Sequence, residues 1–378
     1  MKKRVLILGS TGSIGTSALI VARQIPERME IVGLAAGTRV DDLEDQAKEF
    51  GVNHLCLADD SRYKELQKPG RHIYSGANGL VEIVEATKPD LVLVAIVGVE
   101  GLAPTLAAIE LGCDVAVASK EILVMAGEVV MNSARKKGVN ILPVDSEHNA
   151  IFQCLRAGAR SEVARVCLTA SGGPFREFTQ QQMENVVPKQ ALAHPTWDMG
   201  QKISIDSATM MNKALEIIEA KWLFGLSADQ IEVVVHPQSI VHSMVEFVDG
   251  SVIAQMSPPD MKLPIQYALV WPHRIPGPAP RLRFQDAMSL DFQPPDIGRF
   301  PAVALGLQVA RQGGTSGAVL NAANEAAVDA FLKNRIGFCD IVRACQDVLQ
   351  QHAFQPHPTI NEIVAIDQWA REEIDKWI

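Results

Sequence analysis

Three absences narrow the field first. The 378-residue chain contains no uninterrupted apolar stretch of about 18 residues, the length a bilayer-crossing helix requires. Its six cysteines (Cys56, Cys113, Cys154, Cys167, Cys339, Cys345) are scattered without a CxxC spacing, which argues against both a disulfide framework and a zinc site. Positive charge is in deficit: 35 Lys and Arg against 44 Asp and Glu give a formal net charge of -9. That balance opposes a broad affinity for nucleic acid or an anionic membrane, although it permits a local basic pocket. Fixed-period repeats and low-complexity tracts are also missing. The expectation is a globular protein of a reducing, cytoplasmic compartment.

With 47% hydrophobic and 21% charged residues, the chain can bury a sizeable core, and its length is too great for one ordinary core. The opening MKKRVLILGSTGSIG has only five apolar residues before glycine, so it reads as a strand rather than a signal peptide. Strand-like runs follow at 5–8, 31–35, 91–96, 114–118 and 139–144, with helical spacing between several of them. That alternation predicts an α/β fold whose N-terminal part is a Rossmann-like parallel sheet. From SGGP onward the texture becomes α+β, with a hairpin at VEFVDGSVIAQM turning on Asp249-Gly250. A proline-rich stretch then precedes helical patterns that include a Thr359/Glu362 capping box. The expected division is a nucleotide-binding domain at 1–145, an α+β catalytic domain at 146–272, a linker at 273–300 and a C-terminal helical bundle at 301–378.

Gly9, Gly12 and Gly15 lie between the first strand and the first helix, where a backbone can approach a pyrophosphate at a helix N-terminus. The bland alternative is a tight turn. At the end of the second strand, where NAD enzymes carry an acid, this chain reads LAAGTRV. Arg39 there suits a 2′-phosphate and hence NADPH; the alternative is a solvated arginine.

Asp145 and Glu147 flank Ser146 directly after an apolar strand, where two uncompensated carboxylates would repel. A hard divalent cation, Mg²⁺ or Mn²⁺, resolves that conflict; otherwise the pair belongs to a solvated loop. Glu216 is the candidate third donor, on a helix expected to begin near Ser207 with Thr209, Asn212, Lys213 and Glu216 on one face. The competing reading is a routine surface face. Ser171-Gly172-Gly173 offers backbone N–H groups and a hydroxyl, Ser207 is expected at a helix N-terminus, and Asn212 and Lys213 add a donor and a charge. Together they suit a phosphate, while SGGP alone is a turn. In HPTWDMGQK, His194, Trp197 and Met199 suit a water-excluding lid, with a domain-junction tryptophan as the alternative. His236 and His242 read as hydrogen-bonded core histidines rather than bases, with a substrate contact as the alternative for His242.

These motifs occur in order along the chain: GSTGSIG, ASKE, PVDSEHNAIFQ, LTASGGPFRE, HPTWDMGQKISIDSATMMNK, HPQSIVHSMVEF and LNAANEAA. Together they resemble the 1-deoxy-D-xylulose 5-phosphate reductoisomerase family. The resemblance implies Asp145, Glu147 and Glu216 as metal ligands, and Lys120, Ser146, Ser171, His194, Ser207, Asn212 and Lys213 as sugar-phosphate contacts. Lys120, Glu147, His194 and Glu216 are implied to be catalytic. It further implies NADPH contacts from Thr11, Gly12, Ser13, Ile14, Gly37, Arg39, Ser119, Glu121 and Gly200, and a homodimer. The implied chemistry is a metal-assisted skeletal rearrangement followed by hydride transfer. Two departures stand out: many relatives read GKN where this chain has Gly37-Thr38-Arg39, and Asn where it has Ser119. A semialdehyde- or homoserine-type dehydrogenase would share the first domain without needing the carboxylates. A nucleotide sensor that had lost chemistry would break the lysine and carboxylate set, which is intact here.

Overall fold

A computed structural model describes residues 2–96, 98–197, 199–285 and 288–378. The chain forms two compact units built from interleaved segments. The first takes the chain up to Ile122 with Val130–Asn149 and Asp260–Pro280; the second takes Leu123–Val129, Ala150–Pro259 and Arg281–Ile378.

Seven parallel strands make the sheet of the first unit: β1 (Lys3–Leu8), β2 (Met29–Ala36), β3 (His54–Leu57), β4 (His72–Ser75), β5 (Leu91–Val94), β6 (Asp114–Val117) and β7 (Ile141–Pro143). Val5 to Leu8 and all of β5 are fully buried, as continuous apolar runs in a parallel sheet covered on both faces should be. The strand order is β4-β3-β2-β1-β5-β6-β7, so the direction of winding reverses between β1 and β5. Ligands of doubly wound sheets sit in the crevice at that reversal, beyond the carboxyl ends of the strands. Helix Lys262–Val270, contributed from far along the chain, packs on helix Ser13–Gln24. The strands read from the sequence are all present, slightly shifted at their ends. β3 and β4 were not legible, being four residues each and carrying His54, His72, Tyr74 and Ser75.

The second unit has a four-stranded mixed sheet in the order β11-β10-β8-β9, from β8 (Val163–Ala170), β9 (Ile231–Val235), β10 (Val241–Phe247) and β11 (Val252–Met256). The β10/β11 hairpin turns at Asp249-Gly250 as expected: Phe247 N donates to Ser251 O, and Gly250 adopts φ +85°. Val166, Leu168 and Val245 from this sheet share one core with helices Met211–Phe224, Ala302–Gln312, Ser316–Leu332, Asp340–Gln351 and Ile360–Trp377. The Thr359/Glu362 capping box is formed. Gly306 allows helix 302–312 to approach helix 211–224 closely, since a Cβ there would lie 2.5 Å from Ala214 Cα.

Candidate active site

At the winding reversal, β1 ends at Leu8 and the chain turns sharply at Gly9, whose φ is +94°. A Cβ on Gly9 would lie 2.3 Å from Ala95 O, at the end of β5, and one on Gly15 would lie 2.2 Å from Gly9 O. These two positions admit only glycine. Gly12 caps helix 13–24 without a side-chain hydrogen bond, so the helix N-terminus keeps its backbone donors for an anion. The donor set and the bare backbone fit a dinucleotide pyrophosphate. Thr11 is buried, whereas Ser13 is exposed. Arg39 reaches back to this turn, donating through Nη2 to Thr11 O, and Nη1 lies 3.4 Å from Asp42. Gly37 has open space where a side chain would stand.

Lys120 follows β6 and Asp145 follows β7, so adjacent parallel strands bring them together. Lys120 Nζ donates to Asp145 Oδ2 at 2.7 Å, and both side chains are nearly buried. Asp145 Oδ1 also accepts from Glu147 N at 3.2 Å and lies 3.3 Å from His148 Nδ1. Burial alone would raise the Asp145 carboxyl pKa, but Lys120 and His148 outweigh it and hold the group well below the usual carboxylate range. Asp145 is therefore an anion. Ser146 donates to Glu147 Oε2 in the first turn of helix Ser146–Cys154. Ser119 donates to Ile96 O, and Glu121 is buried.

In the second unit, Gly172 (φ +81°) and Gly173 (φ +68°) coil the chain after β8. Gly173 N donates to Ser171 Oγ at 3.3 Å. His194 Nδ1 accepts from Thr196 N (3.1 Å) and Trp197 N (2.9 Å), which places the ring proton on Nε2, 3.2 Å from Ser171 Oγ. Burial lowers the His194 pKa, so the ring is a neutral donor aimed at the Ser171 hydroxyl. On helix 211–224, Asn212 Nδ2 and Lys213 Nζ donate to the two oxygens of Glu216. Lys213 and Glu216 are 3% and 0% exposed, which excludes the surface-face alternative. Gly200 caps helix Gln201–Ala208, and Trp197 meets the His242 ring edge-on at 6.4 Å between centroids.

Two expectations are corrected. Ser207 is not at a helix N-terminus: it lies in the last turn of helix 201–208, and Met210, in the left-handed region at φ 62°, separates this helix from helix 211–224. Thr209 is likewise not on the face of Asn212 and Glu216. Its hydroxyl donates to the end of the first helix, at Ile205 O (3.1 Å) or Asp206 O (3.2 Å), and accepts from Met211 N at the start of the second. Ser207 nevertheless stays beside the glycine loop, since a Cβ on Gly173 would lie 2.6 Å from Ser207 O. The histidine readings hold. His236 Nδ1 lies 2.9 Å from Asp291 O while Nε2 accepts from Ile240 and Val241, and His242 Nε2 lies 3.1 Å from Ser257 O.

Family models for 1-deoxy-D-xylulose 5-phosphate reductoisomerase match residues 5–127, and models for its C-terminal domain match 141–224 and 256–373. The reductoisomerase of Rhodococcus jostii is 51% identical over 372 residues, covering 98% of this chain and 92% of the relative. That of Pelotomaculum thermopropionicum is 48% identical over 374 residues, covering 98% and 97%. The chain belongs to the 1-deoxy-D-xylulose 5-phosphate reductoisomerase family.

The family's solved structures share the whole architecture. The Zymomonas mobilis reductoisomerase in complex with NADPH superposes with a TM-score of 0.93 at 43% identity, covering 100% of this chain and 99% of that one. A DOX-P reductoisomerase in complex with NADPH, fosmidomycin and magnesium gives 0.91 at 42% identity, covering 99% and 98%. A phosphorylating semialdehyde dehydrogenase would need a cysteine nucleophile, and five of the six cysteines are poorly suited to that role. Burial pushes Cys56 up to about 12 and Cys167 up to about 11, and raises Cys113, Cys339 and Cys345, so none of these five is a thiolate at neutral pH.

Sequence reasoning missed Asp206, which is 1% exposed and lies beside Ser207, and its partner Asn324. ISIDSATMMNK and LNAANEAA were both noticed as motifs, but nothing in their spacing pairs an acid on one with an amide 118 residues away.

Proposed function

We propose that this chain converts 1-deoxy-D-xylulose 5-phosphate to 2-C-methyl-D-erythritol 4-phosphate, by intramolecular rearrangement and then hydride transfer, in non-mevalonate isoprenoid synthesis. It depends on NADPH and a divalent cation. The observation that carries this reading is the identity with reductoisomerases along essentially the whole chain, with the lysine and carboxylate set intact.

Asp145, Glu147 and Glu216 each offer a carboxylate oxygen and would hold Mg²⁺ or Mn²⁺. When bound, the cation supplies Lewis-acid polarisation of the substrate carbonyl and NADPH supplies the hydride. The chain does the rest. Lys120, its ammonium held by Asp145, stabilises the negative charge that develops on substrate oxygen during rearrangement, with Ser146 as a neighbouring donor. At the other end of the substrate, Ser171, the neutral Nε2–H of His194, Ser207, Asn212 and Lys213 receive the phosphate. The His194 ring also holds the backbone of Thr196 and Trp197, so the loop that excludes water is tied to the group that meets the phosphate. Arg39, beside Thr11, takes the 2′-phosphate of NADPH, and Gly12, Ser13, Ile14, Gly37, Ser119, Glu121 and Gly200 line the cofactor.

The decisive assay is NADPH oxidation by purified protein with the sugar phosphate, with and without Mg²⁺ or Mn²⁺, repeated with NADH. Metal-dependent turnover preferring NADPH is expected. A folded, metal-loaded protein that binds NADPH and turns nothing over would refute the reading. A homodimer is supported by β11, an edge strand of the second unit's sheet with exposed Val252 and Ile253, since an uncovered apolar edge is a natural pairing surface. Sedimentation at micromolar concentration checks it, and a monomer would refute it. A cytoplasmic location is supported by the six free thiols, and fractionation of cells tests it.

A further inference from the structure

Helix 201–208 carries Ser207, and its position fixes where that hydroxyl stands relative to Ser171 and Gly173. On one side it is gripped by the glycine loop, with no room for a Cβ between Gly173 and Ser207 O. On the other side Asp206, only 1% exposed, accepts from Lys202 at 2.7 Å and from Asn324 Nδ2 at 2.8 Å. Asn324 is fully buried in helix Ser316–Leu332, and its own Oδ1 meets no hydrogen-bond donor among the described residues. An apolar residue would avoid that unsatisfied oxygen, so the amide is kept for its donor.

The anchor itself is braced. One turn earlier, Asn321 Nδ2 donates to Glu325 at 3.1 Å, and Arg371 of helix Ile360–Trp377 bridges Glu325 (2.6 Å) and Asp367 (2.8 Å). Helix 316–332 is therefore held by helix 360–377 and offers Asn324 from a fixed position. A buried charge-assisted hydrogen bond is among the stronger and more directional contacts available, and it ends on the residue next to Ser207.

We infer that Asn324 is a positioning residue for the phosphate subsite: through Asp206 it sets the axial position of helix 201–208 and so the placement of Ser207 in the cradle. This inference rests on the reductoisomerase reading and adds a role for the LNAANEAA motif, to which that reading assigns none. Because only the phosphate end is set this way, the effect of breaking the contact should depend on whether the substrate carries a phosphate.

The test compares wild type with Asn324→Ala and with the isosteric Asn324→Asp, which removes the donor and sets two carboxylates together without changing volume. KM for 1-deoxy-D-xylulose 5-phosphate should rise about tenfold or more, with kcat and the KM for NADPH held within about twofold. For unphosphorylated 1-deoxy-D-xylulose, kcat/KM should not change. The exchanged pair Asp206→Asn/Asn324→Asp restores an amide-to-carboxylate bond and should recover most of the lost KM. An equal loss on both substrates would mark Asn324 as merely structural and overturn the inference, as would an unchanged KM. A wild-type protein without turnover would remove the reductoisomerase reading itself, visibly before any substitution is made.

Discussion

Gly306→Ala tests whether the close approach of two helices, rather than their composition, supports the site. The added Cβ would lie 2.5 Å from Ala214 Cα and 2.8 Å from both Ala214 Cβ and Ala214 O. These are backbone and Cβ atoms that cannot rotate away, and ordinary contact begins near 3.4 Å. Helices 302–312 and 211–224 must therefore separate by roughly 1 Å, in a core packed without slack. Overpacking of this kind costs about 1–3 kcal/mol. Replacing a mid-helix glycine by alanine returns about 0.5–1 kcal/mol through the lost freedom of the unfolded chain, so the two effects oppose and the clash wins. At the middle of both ranges the net loss is about 1 kcal/mol, which for a unit of this size lowers Tm by about 2–4 °C. Since helix 211–224 also carries Asn212, Lys213 and Glu216, KM for the sugar phosphate should rise severalfold alongside. Circular-dichroism melts and steady-state kinetics read both. A Tm at or above wild type would show that the helices part freely and that Gly306 owes its place to something else.

Gly9→Ala should weaken NADPH at least about tenfold by fluorescence titration, because φ +94° and the carbonyl of Ala95 both exclude a side chain; unchanged affinity would refute the cradle. Arg39→Ala should raise KM for NADPH about tenfold or more while leaving KM for NADH alone, and parallel changes would show that Arg39 does not read the 2′-phosphate. His194 bears on acid stability. Burial lowers its pKa, so the folded protein keeps the ring neutral while the unfolded chain gains a proton below about pH 6.5. Its contribution is full above that pH and is lost as pH falls toward the folded pKa. His194→Gln should accordingly shallow the acid-side decline of the urea midpoint, and superimposable curves would refute the assignment.

Much of this molecule could be read from its residues alone. Apolar runs at 5–8 and 91–94 announced a buried parallel sheet, because only a sheet covered on both faces needs unbroken Val, Ile and Leu. Asp145 and Glu147 were conspicuous for the opposite reason, being charges delivered by an apolar strand. The break between helices 201–208 and 211–224 was not legible. Met210 takes a left-handed conformation that methionine rarely adopts, held by the Thr209 bridge to Met211 N, by its own N–H donating to Ser207 O and by its carbonyl accepting from Lys213 N and Ala214 N. Asn324 was illegible for a simpler cause: its partner is contributed by a distant segment, and no periodicity reports long-range pairing.

The interleaving of the two units bears on how the chain can be made. Ribosomal synthesis delivers all seven strands of the first sheet by Pro143, yet helix 262–270, which lies on helix 13–24, emerges only after β8 to β11. The second unit in turn claims Leu123–Val129 from the middle of the first. Neither half is a contiguous stretch of polypeptide. A fragment stopped after β7 would bare the apolar side of helix 13–24 to water, so nascent chains must wait for residue 270 before that surface is hidden. Expression of the first unit alone therefore calls for grafting residues 260–280 back onto it, rather than for a simple truncation.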